Sequence, residues 1–382
     1  MRILAIGLLL AALMVLATLL LYLRRWSVGQ RAKVDWLAGL RRLPRAYLHD
    51  VHDVVAREQL AGGMHALTAS GLLASLLLLM LMAWVGWRGV LPGLLLLAAL
   101  ACLIAGSLLV ARRRFPSKPA RLSSGRFQLL PLLLLLFPLV AAPIGFAEIG
   151  LLPEDAEGNP PGQILTSLLL LILAGQIAGG PLKHVVAGAL HLIVHPRPAR
   201  FGAARPVADL LPLDLDQQRL GAGAIGDFAW NRLVGFDACI QCGRCESACP
   251  ANAAGQPLNP KALIQDLVAA LPGPPAERYR GSPHPPRIGE SLGAPVLIAS
   301  DGRAAIEPET IWSCTSCRAC VHECPMMIEH VDAIMSLRRY QTLVVGATPG
   351  KGEGKKGEGA DHEKNQSIAH CGCCARSGVP GW

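Results

Sequence analysis

Two copies of one cysteine pattern carry the chemistry of this 382-residue chain. Cys239-Ile-Gln-Cys242-Gly-Arg-Cys245-Glu-Ser-Ala-Cys249-Pro250 reads C-x2-C-x2-C-x3-C-P, and Cys314-Thr-Ser-Cys317-Arg-Ala-Cys320-Val-His-Glu-Cys324-Pro325 repeats it without a gap. That spacing is the bacterial run that holds [4Fe–4S] clusters in pairs. A cubane needs four thiolates around one compact body, and two-residue gaps let three successive sulfurs curl onto three iron corners. The fourth cysteine, set off by three residues and a proline, ligates the other cluster. The expected assignment is therefore crossed: Cys239, Cys242, Cys245 and Cys324 on the first cluster, Cys314, Cys317, Cys320 and Cys249 on the second. Zinc ribbons also use C-x2-C pairs, but a zinc site closes with four ligands and has no use for a third step or a trailing proline. Clusters of this kind move electrons.

The elements that must position them begin in a membrane. Hydrophobic residues make up 52% of the chain and charged residues only 16%, too few for an ordinary soluble surface. Five stretches before residue 200 approach the length needed to cross a bilayer as helices. They run about Ile3 to Leu23, Ala66 to Trp87, Val90 to Ala111, Phe127 to Ala147 and Gln163 to Gly180. Pro131, Pro138 and Pro143 mark the fourth as kinked or irregular. The first is read as a retained helix, because Arg24-Arg25 stands where a signal peptide would have its small-residue cleavage site.

Basic residues orient the bundle. Arg24, Arg25, Arg31, Lys33, Arg41, Arg42, Arg45 and Arg57 lie between the first two spans, and Arg112, Arg113, Arg114, Lys118, Arg121 and Arg126 follow the third. The segment from Glu148 to Gly162 has no Lys or Arg. Five spans then put the N-terminus outside an inner (plasma) membrane and everything after Gly180 in the cytoplasm. The net charge of +9 reads as an orientation signal with anionic lipid headgroups as its partner. Nothing in the pattern points to nucleic acid as a partner, since the basic residues flank spans and are not interleaved with aromatics.

The expected fold class is mainly α. Residues 1–200 form a membrane domain of about five transmembrane helices, 201–348 a cytoplasmic two-cluster ferredoxin-type module, and 349–382 a disordered tail. The cytoplasm is reducing, so its cysteines are not disulfide material. Cys102 is a small packed hydrophobe within a span. Asn259-Pro260 reads as the start of a helix through Leu271 with Leu263, Ile264, Leu267, Val268 and Leu271 on its buried face. A proline-rich loop from Gly273 to Ile288 follows, then a small hairpin over Val296 to Ile306 broken at Asp301-Gly302, and a helix over Ile328 to Leu343. The tail repeats Lys-Gly-Glu-Gly and has little to bury; its Cys371, Cys373 and Cys374 are left unassigned.

Histidines are the next candidates. His184, His191 and His195 share one face of a helix continuing from the fifth span, with Gly188 between them leaving room for a flat group. His65 sits at the cytoplasmic end of the second span, with His49 and His52 upstream. Two imidazoles on facing helices can hold a b-type haem, with His65 and His184 as the first pair and His191 as the alternative partner. The competing reading is interfacial histidines in contact with headgroups.

Between the cysteines, Gly235-Phe-Asp-Ala-Cys239, Ala254-Gly-Gln-Pro-Leu-Asn-Pro-Lys261 and Met326-Met-Ile-Glu-His-Val-Asp332 resemble the iron–sulfur subunit of dimethylglycine demethylation, DgcB. Asp53-Val-Val-Ala-Arg57, Met64-His65, Pro181-Leu-Lys-His184 and Gly188-Ala-Leu-His191 are similar too, so the resemblance covers about residues 33–348. It implies a membrane oxidoreductase related to heterodisulfide reductase subunits. Such a protein takes electrons from a flavoprotein, an electron-transfer flavoprotein or a dimethylglycine-demethylation donor, and delivers them towards quinone. The family continues into a CCG-repeat domain, where this chain diverges; a separate subunit could supply that half. The alternatives are a heterodisulfide-reductase-like enzyme subunit and a membrane anchor for a redox complex, and eight intact cluster cysteines argue against a bare anchor.

Overall fold

The computed structural model describes residues 1–153, 160–195, 220–272, 297–298 and 305–347. Among them the regular structure is helical, and β pairing is limited to the isolated bridges Gln30–Ala229 and Ile298–Ile306. The turn expected at Asp301-Gly302, the proline-rich loop and the tail lie outside the described residues.

Four helices are long and apolar enough to cross a bilayer: α1 (Arg2–Trp26), α4 (Gln59–Met80, prolonged to Val85), α5 (Val90–Arg114) and α6 (Arg126–Glu148). Between α1 and α4 lie two short helices, α2 (Trp36–Arg45) and α3 (His52–Ala56), joined by a π-turn over Ala46–Val51. Asp35 opens α2 by accepting from the Ala38 amide at 2.9 Å, the usual way an orphan helix donor is satisfied. The segment read as a fifth span is α7 (Pro160–Gly175), of 16 residues. At 1.5 Å per residue it is about 24 Å long, shorter than the roughly 30 Å hydrocarbon core. It packs between α1 and α6.

Pro131, Pro138 and Pro143 all lie inside α6, which is helical from Arg126 to Glu148. Pro131 and Pro138, two turns apart, are buried on one face against the neighbouring helices, so packing holds a segment that proline alone would weaken. The α4–α5 contact depends on small residues. A Cβ at Gly71 would strike the Leu103 amide and Ala99 carbonyl, and one at Gly106 would strike Thr68. Close backbone approach of this kind is how helices associate where lipid removes the hydrophobic drive.

One expectation is corrected. The histidine helix does not continue the fifth span: α7 ends at Gly175, the chain turns through Gly179 (φ 119°), and α8 (Lys183–Val194) begins anew. The reason is local, since Gly179-Gly180-Pro181 supplies a left-handed residue and a missing amide donor. His195 lies just past the helix end in extended backbone.

The iron–sulfur part is built from α9 (Trp230–Asp237), α10 (Arg244–Ser247), α11 (Pro250–Ala253), α12 (Pro260–Ala269), α13 (Pro308–Trp312), α14 (Ala319–His322) and α15 (His330–Tyr340). Asn259 caps α12, its side chain accepting from the Lys261 and Ala262 amides at 3.0 and 3.1 Å. All five apolar positions read from the sequence on this helix and its end are buried. Residues Met1–Gly346 form one compact unit. Tyr22 and Trp26 of α1 and Ala187 of α8 belong to the same apolar core as Phe236, Leu263, Ile264 and Ile334. The composition boundary near residue 200 is therefore not a packing boundary.

Candidate iron–sulfur and histidine sites

The two cysteine runs fold alike. In the first, Gln241 and Gly243 take left-handed backbone (φ 53° and 71°), and in the second, Ser316 and Arg318 do so at the same places (60° and 62°). Non-glycine residues rarely adopt this region, and its repetition at matching positions shows what the loop requires. Each turn reverses the chain so that the thiols on either side converge. A four-residue helix then follows in each run, α10 and α14, and Cys249 opens the next short helix with Pro250 at its first position.

Cys245, Cys249, Cys320 and Cys324 are buried, Cys239, Cys242 and Cys314 are half-buried, and Cys317 is exposed. Burial pushes the Cys245 thiol far up, and Cys242, Cys324, Cys239 and Cys320 push it further. Burial likewise raises Cys320, followed by Cys249, Cys314 and Cys317. Cys324 thus stands in the electrostatic company of the first run, and Cys249 in that of the second. Backbone amides point at sulfur: Ser316 donates to Cys314 at 3.4 Å, Gln241 to Cys239, Val321 to Cys320, and Ala251 and Asn252 to Cys249.

These features fit a resident cluster. Free thiolates held this deep would lose their hydration without return, whereas iron neutralises their charge and the amide donors then tune the cluster. Among the described residues, no three His, Cys, Asp or Glu side chains gather closely enough for one metal ion. Tetrahedral zinc would bring sulfurs within about 3.8 Å of one another, given 2.3 Å bonds; a cubane spreads its thiolates over a larger cage.

Two carboxylates, Asp237 and Glu323, fasten the runs to the membrane half, and a third, Glu58, ties α4 to α5 and to the segment after it. Asp237, two residues before Cys239 and fully buried, accepts from the Trp26 indole at 2.7 Å and from Lys183 at 3.0 Å, with Arg25 at 3.9 Å. Burial alone would raise its carboxyl, but Lys183 and Arg25 outweigh that and hold it below the ordinary value. Arg25 also donates to the Val268 carbonyl at 2.6 Å. Glu58 receives Arg113 at 2.7 Å and Arg121 at 2.8 Å. Glu323, beside Cys324, joins Arg57 of the α3–α4 turn at 2.7 Å to Arg244 of the first run at 3.1 Å. The segment between α5 and α6 lies on the first run. Ser123 donates to Gln241 at 2.8 Å, Lys261 donates to the Arg121 carbonyl at 2.6 Å, and a Cβ at Gly243 would fall on that carbonyl.

The histidines divide into two groups. His52 Nδ1 lies 2.7 Å from the Tyr47 carbonyl, which only accepts, so that nitrogen carries the proton. His52 Nε2 is then an acceptor for His65 Nδ1 at 3.3 Å, which leaves the lone pair of His65 on Nε2. His184 Nδ1 donates to the Pro181 carbonyl at 2.9 Å, leaving its lone pair on Nε2 as well. His65 and His184 are near enough to interact electrostatically. Beside His184 lies a cavity of about 350 Å³ lined by Leu43, Tyr47, Val51, Gly188, Leu192 and Met326. His191 belongs elsewhere: it is buried, occupies the space a side chain at Gly235 would need, and stacks on His195 with ring centroids 4.7 Å apart.

Sequence reasoning read Arg25, Arg57, Arg113 and Arg121 only as orientation charges and missed their carboxylate partners. The available signal was a buried-looking Asp and a Lys inside otherwise apolar words, Gly235-Phe-Asp237 and Pro181-Leu-Lys183.

Comparison with known proteins agrees with this architecture. Residues 1–218 match a domain of unknown function, DUF3483, and residues 238–329 match a 4Fe-4S dicluster domain. The chain is 48% identical over 343 residues to a probable membrane-anchored ferredoxin of Chromohalobacter salexigens, covering 86% of this chain and 51% of that one. It is 32% identical over 163 residues to the EtfAB:quinone oxidoreductase of Syntrophomonas wolfei (40% and 23% covered). It is 35% identical over 200 residues to FadF of Bacillus subtilis, a probable iron-sulfur-binding oxidoreductase (47% and 28% covered). The chain spans about half the length of the first of these relatives and about a quarter of the others. No solved structure matches it.

Replacing Asp237 by Asn would leave Lys183 and Arg25 buried without their counter-charge. Removing one partner of a buried pair costs about 3–5 kcal/mol, so D237N should unfold at a clearly lower temperature in nanodiscs and retain less iron. Adding Lys183→Gln should recover part of the loss; equal melting of D237N and wild type would show that the pair is not what joins the two parts.

Proposed function

The chain belongs to the DUF3483 family, joined here to a 4Fe-4S dicluster domain, and from that premise we propose that it carries electrons from a flavoprotein donor to the membrane quinone pool. That it is a membrane-anchored, ferredoxin-like iron–sulfur protein of electron transfer follows from its domains and relatives. The donor and acceptor are the proposal. The observation that carries it is the fastening of the iron–sulfur part directly to the membrane half, through Asp237 with Lys183 and Trp26 and through Glu323 with Arg57. A similar protein is described as an EtfAB:quinone oxidoreductase, which favours an electron-transfer flavoprotein over the narrower dimethylglycine-demethylation donor.

Cys239, Cys242, Cys245 and Cys324 would hold one [4Fe–4S] cluster, and Cys314, Cys317, Cys320 and Cys249 the other. Bound clusters accept and release one electron each. The chain's own residues exclude water from the buried sulfurs, donate backbone N–H bonds to them, and hold Cys324 against the first run through Glu323. Anaerobically purified protein should contain about eight irons and eight acid-labile sulfides. Cys249→Ser should remove the EPR signal of the second-run cluster and Cys324→Ser that of the first. Loss of only the same-run signal in each variant would overturn the crossing, and stoichiometric zinc the whole reading.

A haem b between His65 and His184 is the second cofactor of this reading. Both Nε2 lone pairs are set by hydrogen bonds on the opposite ring nitrogen, the arrangement that prepares imidazole as a metal ligand, and the apolar cavity lies beside His184. A bis-imidazole haem gives a sharp α-band on reduction. That band should appear in the full chain made with adequate haem and be lost in both His65→Ala and His184→Ala. Its survival in either variant would mean that the ligand pair is wrong.

The orientation in this reading places the iron–sulfur part in the cytoplasm. Arg88 and Glu148 pair at 2.7 Å at one end of the bundle, while Glu58, Arg113 and Arg121 meet at the other, beside the cysteine runs. A membrane-impermeant thiol reagent added to intact cells should label a cysteine placed at Gly150 and spare one placed at Lys118. The reverse pattern would invert the topology and exclude a cytoplasmic donor.

A further inference from the structure

The two cysteine runs resemble each other in backbone but not in what covers them. The first run faces the membrane half. Arg121 and Ser123 lie on Gly243 and Gln241, Lys261 reaches across to the Arg121 carbonyl, and Arg57 and Arg244 close the side next to Cys324 through Glu323. Lys183 acts electrostatically on Cys239. In the second run Cys317 is exposed, with Thr315 and Arg318 exposed on either side. Between Cys314 and Cys324 the exposed ionisable side chains are Arg318 (46%) and His322 (60%), and Glu323 is drawn inward onto two arginines.

Electron tunnelling between proteins falls steeply with separation, so a donor must approach where a cluster ligand reaches solvent. We propose that the flavoprotein donor docks on the Thr315–Arg318 face, with a carboxylate near its flavin edge meeting the exposed side of the Arg318 guanidinium, whose inner side already reaches Glu329 and Asp332, and that the first run is the membrane-facing side. This rests on the donor reading above and adds to it the place of contact. In the transfer, the reduced flavin loses one electron and releases a proton to solvent, and the iron of the second-run cluster gains that electron. Opposite charge at such a face raises the rate of encounter and makes it sensitive to salt.

The test uses the full chain with both clusters in nanodiscs, and an electron-transfer flavoprotein from the same organism, photoreduced, as the probe. Thr315→Glu should slow its reduction by the flavoprotein at least tenfold, and the wild-type rate should fall with rising salt. The dithionite-reduced EPR spectrum of the variant should stay that of wild type. Independently of any donor, a gadolinium chelate in solution should speed relaxation of the cluster lost in Cys249→Ser more than that of the cluster lost in Cys324→Ser. An unchanged rate in Thr315→Glu, or stronger relaxation of the first-run cluster, would overturn the docking face while leaving the donor reading intact. Wild type that the flavoprotein fails to reduce would overturn the donor reading and the docking with it.

Discussion

A carboxylate without exposed surface, Asp237, is the point on which the membrane and iron–sulfur parts converge. It draws in the last turn of α1 through Trp26 and Arg25, the first turn of α8 through Lys183, and the segment leading to Cys239. Removing such charges from water costs several kcal/mol per ion, and only close geometry with further hydrogen bonds repays it. Here the carboxylate has an indole donor and two cations, and Arg25 also satisfies the Val268 carbonyl. A buried ionic junction of this kind gains little net stability over apolar packing, but it tolerates few alternative arrangements. It therefore fixes the angle at which the cysteine runs meet the bilayer helices.

With that angle fixed, the smaller contacts fall into place. The segment after α5 can lie on Gly243 because no side chain stands there, and Gln241 in left-handed backbone turns its amide between Ser123 and Gln265. Arg318, in the matching position of the second run, instead reaches Glu329 at 2.9 Å. The same turn thus serves a covered surface in one run and an open one in the other. Backbone strain is common to both because cluster geometry demands it; the side chains on the strained residues are what differ.

The histidines show the limits of spacing as a guide. His184 and His191 are two turns apart on α8, yet one ring borders an apolar cavity and the other is wedged between α8 and α9. Helical register placed them on one face but said nothing of which neighbour that face would meet along its length. The proton positions of His52 and His184 depend on the Tyr47 and Pro181 carbonyls, backbone atoms that have no sequence signature.

By itself the sequence determined the helical class, four of the five spans it suggested and the capped helix after Asn259, because each rests on local rules of period, length or spacing. Only the tertiary structure decided that α7 stops at Gly175, that α6 stays helical through three prolines, and that orientation arginines are also the clamps holding the cysteine runs. Those outcomes turn on burial and on partners far apart in the chain, such as Arg25 with Asp237 and Arg57 with Glu323. A charge read along a sequence has a sign but no partner; folding supplies the partner, and the low dielectric around it supplies the strength.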